Sequence, residues 1–171
     1  MPTIPELVGT RVRLRPARIE DVPDFERILA TDAVSRWWRW DDITGDLTAP
    51  GDEHHFAIVV ERRVVGMIQA VEENTPDYRH AGIDVFLDPA WHGRGLGTDA
   101  VRTLVRWLIE ERGHHRLTID PDARNAAAIA CYAKVGFEPV GVLRRYWFDH
   151  RDGVWSDALL MDLVTPEPRA H

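Results

Sequence analysis

From Gly82 to Leu87 the side chains alternate, with Ile83, Val85 and Leu87 on one side and Gly82, Asp84 and Phe86 on the other. A period of two with unlike faces predicts a strand, closed by Asp88-Pro89. Beyond it the period lengthens. Leu96, Ala100, Val101, Leu104, Val105, Leu108 and Ile109 recur at helical spacing as far as Gly113, which predicts an amphipathic helix. The same two periods parse the rest. Val8 to Arg15 reads as a half-buried strand. Asp21 and Pro23 open a helix carrying Phe25, Ile28 and Leu29, and a shorter helical piece covers Asp32 to Trp38. Trp40 to Glu53 is polar and holds Gly and Pro, so a loop is expected. Phe56–Val60 and Val64–Val71 form a hairpin turned at Glu61-Arg62-Arg63, and Glu72 to Tyr78 is a turn containing Pro76. A strand follows at Arg116–Ile119. A helix runs over Asn125–Val135, from its cap to its stop at Gly136. Two last strands, Phe137–Phe148 and Trp155–Val164, flank a turn at Asp149–Gly153. This is a mixed α/β sheet with helices on both faces. A single domain over residues 1–165 is expected, with 166–171 as a frayed tail.

Composition narrows the function classes. The chain has 171 residues, 44% hydrophobic and 29% charged, enough for one substantial core. A net charge of −7 disfavours nucleic acid as a partner. No apolar run reaches the ~20 residues that a membrane span needs. The first residues lack a basic-then-apolar leader, so cytoplasmic residence is expected. One cysteine, Cys131, excludes an intramolecular disulfide and reads as a small packing residue. His54, His55, His80, His114 and His115 fall on separate elements without a repeated ligand spacing, so no metal is expected.

The chemistry concentrates after the central strand. His92-Gly93-Arg94-Gly95-Leu96-Gly97 joins that strand to the long helix, and Thr98 follows. Glycine lets main-chain N–H groups approach an anion, and a helix N-terminus favours negative charge. The loop is neither a Walker A motif, since no Lys-Ser/Thr follows, nor a dinucleotide fingerprint, since Thr98 stands where the third glycine belongs. A second element adds Asn125, Ala128, Tyr132, Lys134, Gly136 and Phe137. Together these resemble the GNAT superfamily of acetyl-CoA-dependent N-acetyltransferases. That family writes Gln/Arg-x-x-Gly-x-Gly/Ala, then Asn-x-x-Ala-x-x-x-Tyr-x-Lys-x-Gly-Phe, and the likeness extends from about Val12 to about Leu163. The departure is His92 at the first loop position.

The resemblance implies a mixed, mostly antiparallel sheet with the cofactor at a splay between its middle strands. It also implies acetyl-CoA as co-substrate. Cofactor contacts are expected from Phe86, Leu87, His92, Gly93, Arg94, Gly95, Leu96, Gly97, Thr98, Asn125 and Ala128. Tyr132 matches the family's usual acid, a phenol able to protonate a departing thiolate. Asp84, flanked by Gly82 and Phe86 on its strand face, either orients or deprotonates the accepting ammonium. Gly82-Ile-Asp84, the loop, Asp120-Pro121 and Arg36-Trp37-Trp38 are similar to aminoglycoside 6'-N-acetyltransferases. By that likeness Asp84 and Asp120 meet a polycationic acceptor and Trp37 and Trp38 wall its site; core packing of these tryptophans is the alternative. A small-molecule amine acceptor and a monomer or homodimer are expected. Acetylation of a protein N-terminus or a siderophore-type lysine, or a CoA-binding module without turnover, are the other readings.

Overall fold

The computed structural model describes residues 4–167. Its sheet has eight strands in the order β1-β2-β3-β4-β5-β6-β8-β7. They are β1 (Leu7–Val8), β2 (Arg13–Pro16), β3 (Glu53–Val60), β4 (Arg63–Glu73), β5 (His80–Leu87), β6 (Arg116–Ile119), β7 (Glu138–Asp149) and β8 (Val154–Val164). Neighbours pair antiparallel throughout, except β5 with β6. Helices α4 (Leu96–Glu110) and α5 (Ala126–Val135) cover one face, over Phe56, Ile58, Ile68, Ile83 and Leu117. Helices α1 (Val22–Leu29), α2 (Asp32–Ser35) and α3 (Ile43–Thr48) cover the other, where Phe25 and Ile28 pack on Ala57, Met67 and Phe86. Each fully buried Leu, Ile or Phe contributes roughly 1.5–3 kcal/mol.

Two expectations need correction. Val8 to Arg15 is not one strand: β1 and β2 fold back on each other, with Leu7 opposite Leu14 and Val8 opposite Arg13. The cause is distant in sequence. The Asp99 carboxylate in the first turn of α4 accepts the N–H groups of Thr10, Arg11 and Val12 at 3.0, 2.7 and 3.0 Å, bending the chain there. Nor is Trp40 to Glu53 all loop. Asp42 accepts the N–H of Gly45 at 2.9 Å and so starts α3. The β3–β4 turn is also tighter than expected. Glu61 and Arg62 both have positive φ, 49° and 64°, and Arg63 is already paired with Val60. Of the expected tail, Pro166 and Glu167 belong to no element, and 168–171 lie outside the described residues. Among the described residues no helix is long and apolar enough to cross a membrane.

The pairing of β5 positions the site. Toward β4 it is continuous from Gly66–Leu87 to Glu73–His80. Toward β6 only Ala81–Leu117 and Gly82–Thr118 pair, and the strands then part. The edge from Ile83 to Leu87 therefore faces an opening rather than a strand. Gly66 is required at its far end, because a Cβ there would stand 2.2 Å from the Phe86 carbonyl oxygen.

Candidate active site

At the end of the open edge the chain turns through Asp88, whose carboxylate accepts the N–H of Ala90 at 3.0 Å and the Arg27 guanidinium at 2.9 Å. Gly93 and Gly95 then adopt φ +74°, a conformation that costs other residues strain, and nothing lies within 4 Å of a Cβ built on either. Gly95 is the cap of α4 and brings no side-chain cap, so the first N–H groups of that helix are left without intrahelical partners. Leu96 is buried in the core and offers only its main chain. His92 hydrogen-bonds the Leu87 carbonyl at 2.8 Å, and the Arg94 guanidinium lies 4.9 Å from the centre of the Trp91 ring. Thr98 Oγ1 is 3.3 Å from Cys131 Sγ, which brings α5 against the first turn of α4. Such a cradle, with space where side chains would stand and helix-end donors facing it, fits a diphosphate.

The two aspartates stand by symmetry of position. Gly82 and Thr118 are the last parallel pair and share a face, since a Cβ on Gly82 would lie 3.6 Å from Thr118 Oγ1. Two residues farther along each segment, where the strands have parted, come Asp84 on β5 and Asp120 just past the end of β6. Side chains two apart on a strand share a face, so both carboxylates flank the mouth of the opening. Among the described residues no lysine or arginine perturbs either. Burial, then the charge of Asp120, push Asp84 up to about 7, against an opposing contact from Gln69. Burial raises Asp120 as well, opposed by an approach of the Tyr146 hydroxyl. Gln69 is the residue opposite Asp84 in the β4–β5 ladder, and His55 is opposite Gln69 on β3, so the three form a row.

Tyr132, on α5, is buried and close enough to feel both aspartates. Burial first, then Asp84, drive its phenol well above the usual range, so the hydroxyl stays protonated at any working pH. Asn125 caps α5: its Oδ1 accepts the N–H of Ala128 at 3.2 Å. The Asp120–Asn125 connection is fastened by a network not foreseen in the sequence. Arg124 binds both oxygens of Asp122 at 3.0 Å, Asp149 at 2.9 Å and Ser156 at 3.1 Å, and the Trp147 indole donates to Asp122 at 2.9 Å.

The tryptophans divide. Trp38 donates its indole N–H to the Val85 carbonyl on the open edge at 2.9 Å and packs its ring on Phe86. Trp37 carries the protein's own cations, with Arg36 4.7 Å and Arg124 5.6 Å from its ring centre. Trp40 stacks on His55 and Phe25. A cavity of about 490 Å³ lies between α1–α3 and the β7–β8 turn, lined by Trp38, Trp40 and Trp147 among others. Neither Asp84 nor Asp120 lines it; Trp38 does, and its indole also bonds the open edge of β5. Tyr146, Gln69 and Arg124 were missed in the sequence. Register alone would have flagged Gln69, opposite Asp84; nothing local marks the other two. Among the described residues no group of three or more His, Cys, Asp and Glu is arranged to hold a metal ion.

Parted middle strands, a glycine cradle at a helix end and a tyrosine from the next helix define an acyltransferase fold. The chain belongs to the acetyltransferase (GNAT) family, whose model matches residues 16–137. Among relatives, the probable N-acetyltransferase YjcK of Bacillus subtilis (strain 168) is 29% identical over 118 residues, which is 68% of this chain and 64% of that protein. Aminoglycoside N(6')-acetyltransferase type 1 of Klebsiella pneumoniae is 42% identical over 73 residues, 42% of this chain and 35% of that one. The chain thus matches less than two thirds of the length of either relative. Among solved structures, RimJ of Mycobacterium smegmatis in complex with CoA-disulfide superposes with a TM-score of 0.85 at 23% identity, covering 97% of this chain and 90% of that one.

Proposed function

We propose that this protein transfers the acetyl group of acetyl-CoA directly to a primary amine of an aminoglycoside-like polycationic small molecule, in a ternary complex. The observation that carries the reading is a pair of partly buried carboxylates, Asp84 and Asp120, at the mouth of the strand opening, with no lysine or arginine among the described residues perturbing either. Acetyl-CoA supplies the thioester whose C–S bond breaks as the N–C bond forms. The main chain from Gly93 to Thr98 and the start of α4 hold its diphosphate, with Arg94 free to leave Trp91 for a charge-assisted contact. The open edge from Ile83 to Leu87 aligns the extended arm of the cofactor. Asp84, with an ionisation near neutrality, takes the proton of the acceptor ammonium and leaves a free amine, while Asp120 holds a second ammonium. Tyr132 gives its proton to the departing sulfur. The 73-residue stretch that is 42% identical to the aminoglycoside relative supports this acceptor class.

The test is a panel of amines assayed for CoA release. Kanamycin-like acceptors with a free 6'-amine should turn over and 6'-hydroxyl analogues should not. Turnover of peptide N-termini with inert aminoglycosides would transfer the reading to a protein acceptor. The cofactor site has its own test. Acetyl-CoA should raise the Tm, and Gly95→Asp should abolish that rise by placing a carboxylate in the cradle; a folded Gly95→Asp protein that keeps the rise would refute the assignment.

A further inference from the structure

The open edge of β5 is not bare. The Phe86 carbonyl oxygen stands against Gly66 of β4, and the Asp88 N–H donates to the Val65 carbonyl at 2.7 Å, so Phe86 and Asp88 bond toward β4. Main-chain groups alternate in direction along a strand, so the N–H and C=O of Val85 and of Leu87 face the opening. Both of these carbonyls are occupied. His92 bonds that of Leu87 at 2.8 Å, and the Trp38 indole N–H donates to that of Val85 at 2.9 Å. Trp38 lies between α2 and α3, so its indole reaches the edge from their side of the sheet. Its ring meets Phe86 edge-on, 5.2 Å between centres, and Phe86 packs in turn on Phe25 at 6.1 Å and Phe25 on Trp40 at 6.0 Å. Trp38 also lines the cavity of about 490 Å³. It is a partition, with the strand opening on one side and that cavity on the other.

We propose that Trp38 is the specificity-determining residue for the acyl group: its indole closes the cleft beside Val85, so that acetyl fits and longer acyl chains do not. This rests on the placement of the cofactor's arm along the open edge and of the acceptor amine at Asp84, proposed above. To react, the acceptor nitrogen must come within about 3–3.5 Å of the thioester carbon. Asp84 receives that nitrogen and Val85 is the next residue, so the acyl group lies at the level where the indole stands. An acetyl group ends there in one methyl. Each further methylene would have to enter the space of the indole, and that wall does not yield, because Phe86, Phe25 and Trp40 back it in a close-packed layer. One methylene against such a wall is worth about tenfold or more in rate. Behind the wall there is room: without the indole, the acyl end and the cavity become one space.

Two measurements decide, both on the full chain with acetyl-, propionyl- and butyryl-CoA. The first needs no acceptor and reads the rise in Tm that each acyl-CoA gives. In the parent the rise should shrink from acetyl to butyryl. In Trp38→Leu the three should be equal, and Trp38→Phe, which keeps a ring against Phe86, should fall between. Comparing acyl-CoAs within one protein cancels any stability lost through the substitution itself. A parent that accepts butyryl-CoA as well as acetyl-CoA overturns the proposal, and so do Trp38→Leu and Trp38→Phe proteins that discriminate as the parent does. The second measurement is turnover with kanamycin as acceptor. The ratio of kcat/KM for butyryl-CoA to that for acetyl-CoA should rise about tenfold or more in Trp38→Leu. An unchanged ratio with a raised KM for kanamycin would make Trp38 a wall of the acceptor site alone and would overturn the proposal. Inert kanamycin would overturn the acceptor class, and the Tm comparison would still decide for or against Trp38.

Discussion

Glu72 on β4 and Asp84 on β5 are both taken out of bulk water by the same sheet, on opposite faces, and they end in opposite states. Burial pushes both upward. At Glu72 the bonds from His114 at 2.7 Å, from Arg112 at 3.0 Å and from His54 outweigh it, and the group falls to about 2. At Asp84 the nearest help is the Gln69 amide, the neighbouring Asp120 adds to the burial, and the group rises to about 7. The first carboxylate arrives with its cations. It clasps the end of α4 and the segment leading to β6 against β3 and β4, beside the point where β5 and β6 begin to part. The second has none among the described residues, which is an expensive arrangement for a fold and a useful one for a site that receives an ammonium.

Exchanging charge for amide at each place should separate the two roles. Asp84→Asn should lower kcat/KM by about 10³-fold, within the range for removal of a general base, without lowering the Tm. Turnover at the parent rate would leave Asp84 as an orienting group at most. Glu72→Gln should do the reverse. Removing one partner of a buried ion cluster costs about 3 kcal/mol, and at this chain length that is a fall of roughly 6–12 °C in Tm. Its kcat at a temperature where it remains folded should stay near the parent value. A Glu72→Gln protein that melts with the parent would mean that the His54–Glu72–His114 cluster adds no stability, a possibility made concrete by the buried, unpartnered Nδ1 of His114. Next in size, Tyr132→Phe should lower kcat by about 10²-fold with acetyl-CoA binding intact. An unchanged kcat would assign protonation of the thiolate to solvent.

The contrast between the two carboxylates was half legible in the sequence. Asp84 announced itself by standing in an otherwise apolar strand just before the glycine loop, and the period of α4 was strong because it buries one continuous face, while β5 has Ile83 under one helical layer and Phe86 under the other. Glu72 read only as the start of a turn, since its partners His54, Arg112 and His114 are 18, 40 and 42 residues away. The same blindness to distance explains the break between β1 and β2, made by Asp99 from 87 to 89 residues on. Helix α3 was missed for a different reason: Ile43–Thr48 is six residues long and contains Gly45, too short and too weak a helix former to show a period.

The smallest effect expected is on stability against pH, where the two carboxylates should have opposite signs. Glu72 is depressed from an ordinary 4.5 to about 2, so the stability it contributes is present above 4.5 and is lost as the pH falls through that window. Asp84 is raised from an ordinary 3.8 to about 7, so its contribution is full below 3.8 and is lost as the pH rises through 7. Asparagine has the shape of a protonated aspartate but nothing to ionise. The Tm of Asp84→Asn should therefore match the parent near pH 4 and move above it by pH 8. The deficit of Glu72→Gln should be constant from pH 6 to 8 and shrink toward pH 3. Melting curves across that range, in the absence of acceptor, test both. A constant offset between Asp84→Asn and the parent at every pH would mean that the free protein already neutralises Asp84 with a cation of its own. The site would then have no uncompensated charge with which to attract an ammonium.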